Sequence, residues 1–265
     1  PHTPHENSLA PWLASVAPSG RKPAVRFYPL TYGTSLVENL LGHHDGNPTY
    51  SVNNGGFSRY GQSTLPNLMR WALATGATPE TRSVPFLTFT EKYTEAEWQA
   101  IVEYLGVPYD AASDTPADKP YAYMRFVQRG HGTPWTDEFR EILVEYGNET
   151  WHNGAGGYGW DGFSAPGAVH QGGLEYGLFA RYMFEEQVMS LPFWSRYQLG
   201  NQIKFALGAN YDARLEWGGS YGEAAIQQNR ITSYLGHANY VGPKWETNDT
   251  GTNVFDAHGL QETLV

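Results

Sequence analysis

A carboxyl group placed where a buried strand gives way to a loop can act as an acid or a base without disturbing the core, and one stretch of this chain has that form. Ile142-Leu-Val-Glu-Tyr146 is a short run, apolar except for Glu145, that suits a buried strand. Gly147 ends it, and Asn148 and Glu149 follow at the exit. The next segment, from Thr150 to Gly159, carries four glycines, two aromatic rings and a histidine, a composition for a wide, contact-making loop. Glu149 is therefore the first candidate for chemistry. A carboxylic acid there can protonate a glycosidic oxygen when a partly apolar pocket or a neighbouring negative charge raises its pKa. Asn148 beside it could hydrogen-bond a sugar hydroxyl, a bond that strengthens as charge develops in the transition state. On residue types alone, a merely polar strand end is also an open reading of this Asn-Glu pair.

Composition narrows the partners. With 265 residues, 40% of them hydrophobic, the chain can bury a real core, and an α/β barrel of about 250 residues falls within the single-domain range. Aromatic residues make up 15%, including 9 Trp and 18 Tyr, more than packing alone needs. Rings with a flat apolar face and a polar handle suit surfaces that bind sugar rings, although a tyrosine-rich core is the plainer alternative for any one of them. A formal net charge of -10 with only 17 scattered Lys and Arg argues against a nucleic-acid partner. The absence of cysteine excludes disulfides, thiolate metal sites and a thiol nucleophile, and it leaves the compartment open. No apolar run reaches the roughly 18 residues of a membrane span, so no membrane partner is expected. His43, His44 and Asp45 are metal-ligand types, but adjacent side chains rarely face one ion; they read as a solvated loop, and a metal hydrolase is the weakest of the rival functions. The chain starts at Pro1 without Met or a signal-like stretch, and so reads as an excerpt or a mature form.

Several elements must position the candidate. Residues 1–22 read as an N-terminal extension with a short apolar patch at Trp12, Leu13 and Val16. Strands are expected at 24–28, 84–89, 142–146, 203–207 and 235–241, with an exit loop over 208–212. Helices are expected from Leu65 to Ala72, after the Thr94-Glu-Ala-Glu97 capping box, over 121–127, and from Ser220 to Ile231. A further helix is marked by Leu174, Leu178, Phe179, Tyr182, Met183 and Val188, and the start of another is expected at 257–265, with a loop at 242–251. Strand and helix alternate without repeats, which predicts a parallel sheet or barrel. Arg26 lies inside the first strand, either as a solvated charge or as an inward partner for a carboxylate.

Glu145-Tyr-Gly-Asn-Glu-Thr-Trp151 resembles the Gly-Asn-Glu-x-Trp signature of the large clan of retaining glycoside hydrolases with a (β/α)8 TIM barrel, nearest its α-L-arabinofuranosidase-like branch. The flanking order is similar as well. Val25-Arg-Phe-Tyr-Pro29 looks like the clan's second strand, and Val84-Pro-Phe-Leu-Thr-Phe89 with Ala100-Ile-Val-Glu-Tyr-Leu105 looks like its third strand and helix. Ile203 to Asn210 and His237-Ala-Asn-Tyr240 would then be the fifth and sixth strands, so the likeness covers residues 23–245. The resemblance implies Glu149 as general acid/base, Asn148 as a substrate contact, and Arg26 as a partner of the nucleophile, with Tyr240 or His237 serving the same carboxylate. It also makes Trp151 and Trp245 candidate sugar platforms, each with ordinary rim packing as the alternative. It implies a carbohydrate substrate, no cofactor, no metal and a secreted or periplasmic location.

One departure stands out. The clan's nucleophile closes strand seven, and strands one, seven and eight are not evident here. Glu246, in Lys244-Trp-Glu-Thr247, is the late carboxylate in a plausible loop, though it follows strand six closely. Residues 23–265 thus read as a truncated or abridged barrel, completed by a missing segment or another chain, since an open piece exposes two strand edges. The rival function is a non-catalytic carbohydrate-binding or scaffold protein that lacks the nucleophile.

Overall fold

A computed structural model describes residues 23–27, 40–41, 64–148, 150, 168–210, 221–228, 234–238, 245–247 and 253–255. The expected extension at 1–22, the His43, His44 and Asp45 cluster and the helix expected at 257–265 lie outside these residues. The architecture is α/β with a parallel sheet. Strands β1 (Ala24–Phe27), β2 (Val84–Phe89), β3 (Ile142–Tyr146), β4 (Ile203–Asn210) and β5 (Tyr234–Ala238) lie side by side in chain order, every neighbouring pair parallel. β4 runs on through residues expected as its exit loop, because Gly208, Ala209 and Asn210 pair with Gly236, His237 and Ala238.

Side chains alternate along a strand, so the register sorts them into two faces. One face carries Phe27, Leu87, Phe89, Ile142, Val144, Tyr146, Ile203, Phe205 and Leu207, all buried. The described helices meet this face. Trp71 of α1 (Leu65–Leu73) packs edge-on against Phe27, and Trp98 of α2 (Glu95–Gly106) against Phe89. After α3 (Pro120–Arg129) and β3, Tyr176 of α4 (Ala168–Arg181) stacks on Tyr146. Phe184 and Trp194, the latter from α5 (Pro192–Arg196), stack on Phe205. The other face carries Arg26, Phe86, Thr88, Leu143, Glu145, Lys204 and Ala206. A strand that buries one row under helices and sends a charged row the other way keeps its polar groups for that second side.

Local chemistry explains the helix boundaries. The Thr94 box forms both reciprocal bonds, Glu97 N–H to Thr94 Oγ1 and Thr94 N–H to Glu97 Oε2, at 3.3 and 2.8 Å. The α2 face expected at Trp98, Ile101, Val102 and Leu105 is fully buried. No side chain caps α3 from its own N-cap; Glu103 of α2 does so, accepting from the amides of Tyr121 and Ala122. Buried Arg125 of α3 answers in the opposite sense, donating to the carbonyls of Tyr104, Val107 and Gly132. It thereby satisfies the end of α2, where carbonyls lack helical partners.

The helix marked by Leu174 to Val188 is present as α4 and its continuation, but only some of the residues that marked it lie on its buried face. Leu178, Phe179 and Tyr182 are exposed, while Tyr176, Ala180, Met183, Phe184 and Val188 are buried. Two features set the buried positions, one on α4 and one beyond it. Gly173 and Gly177 lie against α6 (Tyr221–Gln228), where a Cβ would come within 2.3 Å of the Tyr221 carbonyl and 2.2 Å of that of Ala225. Residues Tyr182–Val188 then continue as a π-helix, which shifts the phase of every later side chain.

A second correction concerns the loop expected at 242–251. Trp245–Thr247 forms β6 and pairs antiparallel with β7 (Asn253–Phe255), in a two-stranded unit separate from the parallel sheet. The Asn248-Asp-Thr-Gly-Thr252 stretch between them is rich in turn-forming residue types, which the reading as one long loop did not weigh. Among the described residues no helix is long and apolar enough to cross a membrane.

Candidate active site

The carboxyl ends of β1, β2 and β3 converge on one hydrogen-bonded cluster. Arg26 extends over the ring of Phe86, with its guanidinium carbon 5.5 Å from the ring centroid, and crosses β2 to reach β3. Its Nε and Nη2 donate to Glu145 Oε2 at 3.0 and 2.8 Å, and Nη2 also donates to Asn148 Oδ1 at 2.9 Å. Thr88 of β2 adds a hydroxyl donor to the same Glu145 oxygen at 2.9 Å. The Glu145 side chain is 4% exposed and that of Arg26 is 34% exposed, so a buried carboxylate is neutralised by a cation that still reaches solvent.

Asn148 is itself buried, and its orientation follows from its partner. A guanidinium can only donate, so the amide oxygen faces Arg26. Its NH2 end makes no hydrogen bond to any described residue. Among the described residues, two donors at the residue that precedes Glu149 in the chain thus have no acceptor.

The turn at the end of β3 is shaped by Gly147, which adopts φ +76° and donates its N–H to the Phe89 carbonyl at 2.7 Å. A Cβ at this position would lie 2.3 Å from Thr150 Cγ2 and 2.9 Å from Glu91 Oε2, so glycine is required both by conformation and by space. Glu91 is a second buried carboxylate at this end of the sheet, just beyond β2. Tyr146 donates its hydroxyl to the Glu91 carbonyl at 3.4 Å. Burial, followed by Glu145, Tyr221 and Glu91, pushes the Tyr176 phenol well above the ordinary tyrosine value, so it stays protonated.

The sequence candidates are thus distributed as follows. Arg26 and Asn148 come together, and the inward reading of Arg26 is the one observed, with Glu145 as its carboxylate partner. The resemblance had implied a contact between Arg26 and the nucleophile; in the structure the arginine holds Glu145 and Asn148. Glu149, Trp151 and Tyr240 lie outside the described residues. His237 belongs to β5, in register with Ala209. Trp245 and Glu246 belong to β6, opposite Phe255 and Val254, and not to a loop at the carboxyl end of a parallel strand.

Sequence reasoning passed over Glu145, Thr88, Glu91, Tyr176 and Tyr221. Glu145 did leave a signal, as the lone charge in an apolar strand. Thr88 and the two tyrosines look like ordinary strand and helix residues until the register is known.

A cavity of about 740 Å³ lined by Tyr109, Asp110, Asp114, Lys119, Phe126 and Arg196 opens elsewhere. Its walls follow the carboxyl end of α2 and precede β3 and β4, which places it at the amino end of the sheet, the pole opposite Asn148. Ligands of parallel sheets bind outside the carboxyl ends of the strands, so the Arg26 and Asn148 cluster is the better site candidate. Among the described residues no group of three or more His, Asp or Glu is arranged to hold a metal ion. Comparison with protein-family models, with curated proteins and with solved structures returns no match to this chain.

Proposed function

We propose that the chain is a retaining glycoside hydrolase in which Glu149 is the general acid/base, acting on an oligosaccharide or polysaccharide in a secreted or periplasmic setting. The observation that carries this reading is Asn148. Its amide oxygen is locked by Arg26 while its NH2 donors have no acceptor among the described residues, next in the chain to a carboxyl residue beyond the end of a parallel strand. A pre-oriented donor next to an acid is what recognition of a sugar hydroxyl at the reacting carbon requires.

The same reading takes the sheet as part of a (β/α)8 barrel. Five parallel strands in unreversed order, with the described helices against one face and a charged row on the other, support it. Closing such a barrel needs strands beyond these five, from the rest of the polypeptide or from a partner chain.

In the proposed reaction Glu149 protonates the leaving oxygen as a second carboxylate attacks the anomeric carbon. Glu149, as carboxylate, then takes a proton from the water that releases the sugar. Such pairs lie about 5 to 5.5 Å apart. Glu246 is the nucleophile candidate, with Trp151 and Trp245 as platforms and Tyr240 or His237 as the group serving the nucleophile.

The test is Glu149→Gln. Loss of general acid/base catalysis should lower turnover of an unactivated glycoside by about 10²- to 10⁴-fold. Undiminished turnover in this variant removes the assignment. Calorimetric sugar binding with no hydrolysis by the unaltered protein would instead favour a carbohydrate-binding scaffold.

A further inference from the structure

Residue 149 is flanked in the chain by two side chains held from different parts of the fold. Asn148 is held by Arg26 of β1 on one side. On the other, Thr150 is 1% exposed and shares a 3.0 Å hydrogen bond with the hydroxyl of Tyr221, the first residue of α6 and itself fully buried.

Tyr221 is in turn fixed by its surroundings. Its ring stacks on Tyr176 of α4 with centroids 5.3 Å apart, and its carbonyl rests against Gly173, where no Cβ could fit. Tyr176 then ties the ends of two strands, donating to the Tyr146 carbonyl at 2.7 Å and accepting from the Gly208 amide at 3.0 Å. Burial, and then Glu91 and Glu175, push the Tyr221 phenol well above the usual tyrosine range, so its proton is retained across working pH.

We propose that Tyr221 is a positioning residue for the two neighbours of residue 149, pinning Thr150 through its hydroxyl as Arg26 pins Asn148. Four contacts from four elements then hold the residues around position 149: Tyr146 by α4, Gly147 by β2, Asn148 by β1 and Thr150 by α6. Such bracing suits a residue that must deliver a proton along a fixed line, since small misplacements of reacting groups cost rate steeply. The consequence for catalysis rests on Glu149 being the acid/base; the pinning does not.

Hydrogen exchange measured by mass spectrometry tests the pinning directly. Tyr221→Phe keeps the stacked ring and removes the hydroxyl, and Thr150→Val keeps the shape and removes the other. Each should speed amide exchange in peptides spanning 147–150 by about tenfold or more, leaving 142–145 unchanged. The double variant should go no further than either single, and Thr150→Ser should stay close to the unaltered protein. Wild-type exchange at 147–150 in Tyr221→Phe, or additive effects in the double variant, overturns the proposal. Should Tyr221→Phe also loosen 142–145, the same criterion applied to Thr150→Val decides. In parallel, kcat on 4-nitrophenyl α-L-arabinofuranoside should fall roughly 10- to 100-fold in Tyr221→Phe while KM changes little. The expected exchange pattern without hydrolysis by the unaltered protein upholds the pinning and removes only the hydrolase reading.

Discussion

Replacing Arg26 by Met removes the three N–H donations, at 3.0, 2.8 and 2.9 Å, that join β1 to Glu145 and Asn148. The loss can be sized from the surroundings. Stripping one partner from a fully buried ion pair costs about 3 to 5 kcal/mol, chiefly because the other charge is left behind. Here the charge left behind is well buried, with the Glu145 side chain 4% exposed, but Arg26 is 34% exposed and solvent already competes for it. Thr88 also stays to donate to the same oxygen. An intermediate value of about 2 to 3 kcal/mol follows, or a fall in Tm of roughly 5 to 10 °C for a chain of this size. Denaturant unfolding followed by tryptophan fluorescence measures it. The decisive comparison is a double-mutant cycle with Glu145→Leu. If the arginine is retained because a buried carboxylate needs it, the double variant should lose at least about 1.5 kcal/mol less than the two singles together. Additivity within about 0.5 kcal/mol would refute the coupling, and with it the claim that Arg26 organises this end of the sheet.

Two further substitutions probe the same frame. Gly130 and Gly147 share φ +76°, but a Cβ at Gly130 meets nothing within 4 Å, whereas at Gly147 it strikes Thr150 and Glu91. Gly130→Ala should therefore lose only the left-handed backbone penalty of about 1 to 2 kcal/mol, and Gly147→Ala distinctly more; equal losses in denaturant unfolding would show that the crowding is relieved without cost. At Glu138, burial alone would raise the pKa, but the guanidiniums of Arg129 and Arg82 outweigh it and hold the carboxyl below its ordinary value of 4.5. A depressed folded-state pKa contributes stability above the unfolded value and loses it as pH falls through the folded one. The Tm difference between the unaltered protein and Glu138→Gln should be largest above about pH 5 and shrink below about pH 4; a gap that does not depend on pH would assign the effect to packing.

The two poles of the sheet have different chemistry. At the amino pole, Arg125 closes off the carbonyls that end α2 and joins them to the 130–133 turn, an arrangement that accounts for structure. At the carboxyl pole, Arg26 satisfies a carboxylate and an amide oxygen, and the amide's donors find no acceptor among the described residues.

Elements whose pattern is local were readable along the chain. The five strands, the Thr94 capping box and the buried stripe of α2 depend on alternation, on caps and on the 3.6-residue period, all of which reside in neighbouring residues. The turn at Gly147 was readable for the same reason. Tertiary contact decided the rest. Nothing near Arg26 announces that its partner lies 119 residues away, because that pairing follows from the sheet register. The buried face of α4 was misjudged because hydrophobicity ranked Leu178 and Phe179 above Tyr176. The close seating of Gly173 and Gly177 on α6 accompanies the tyrosine's inward position and leaves the other two out. Only once that tyrosine is inside can its hydroxyl join β3 to β4 and its ring support Tyr221, so the bracing around the candidate turn exists in the folded chain alone.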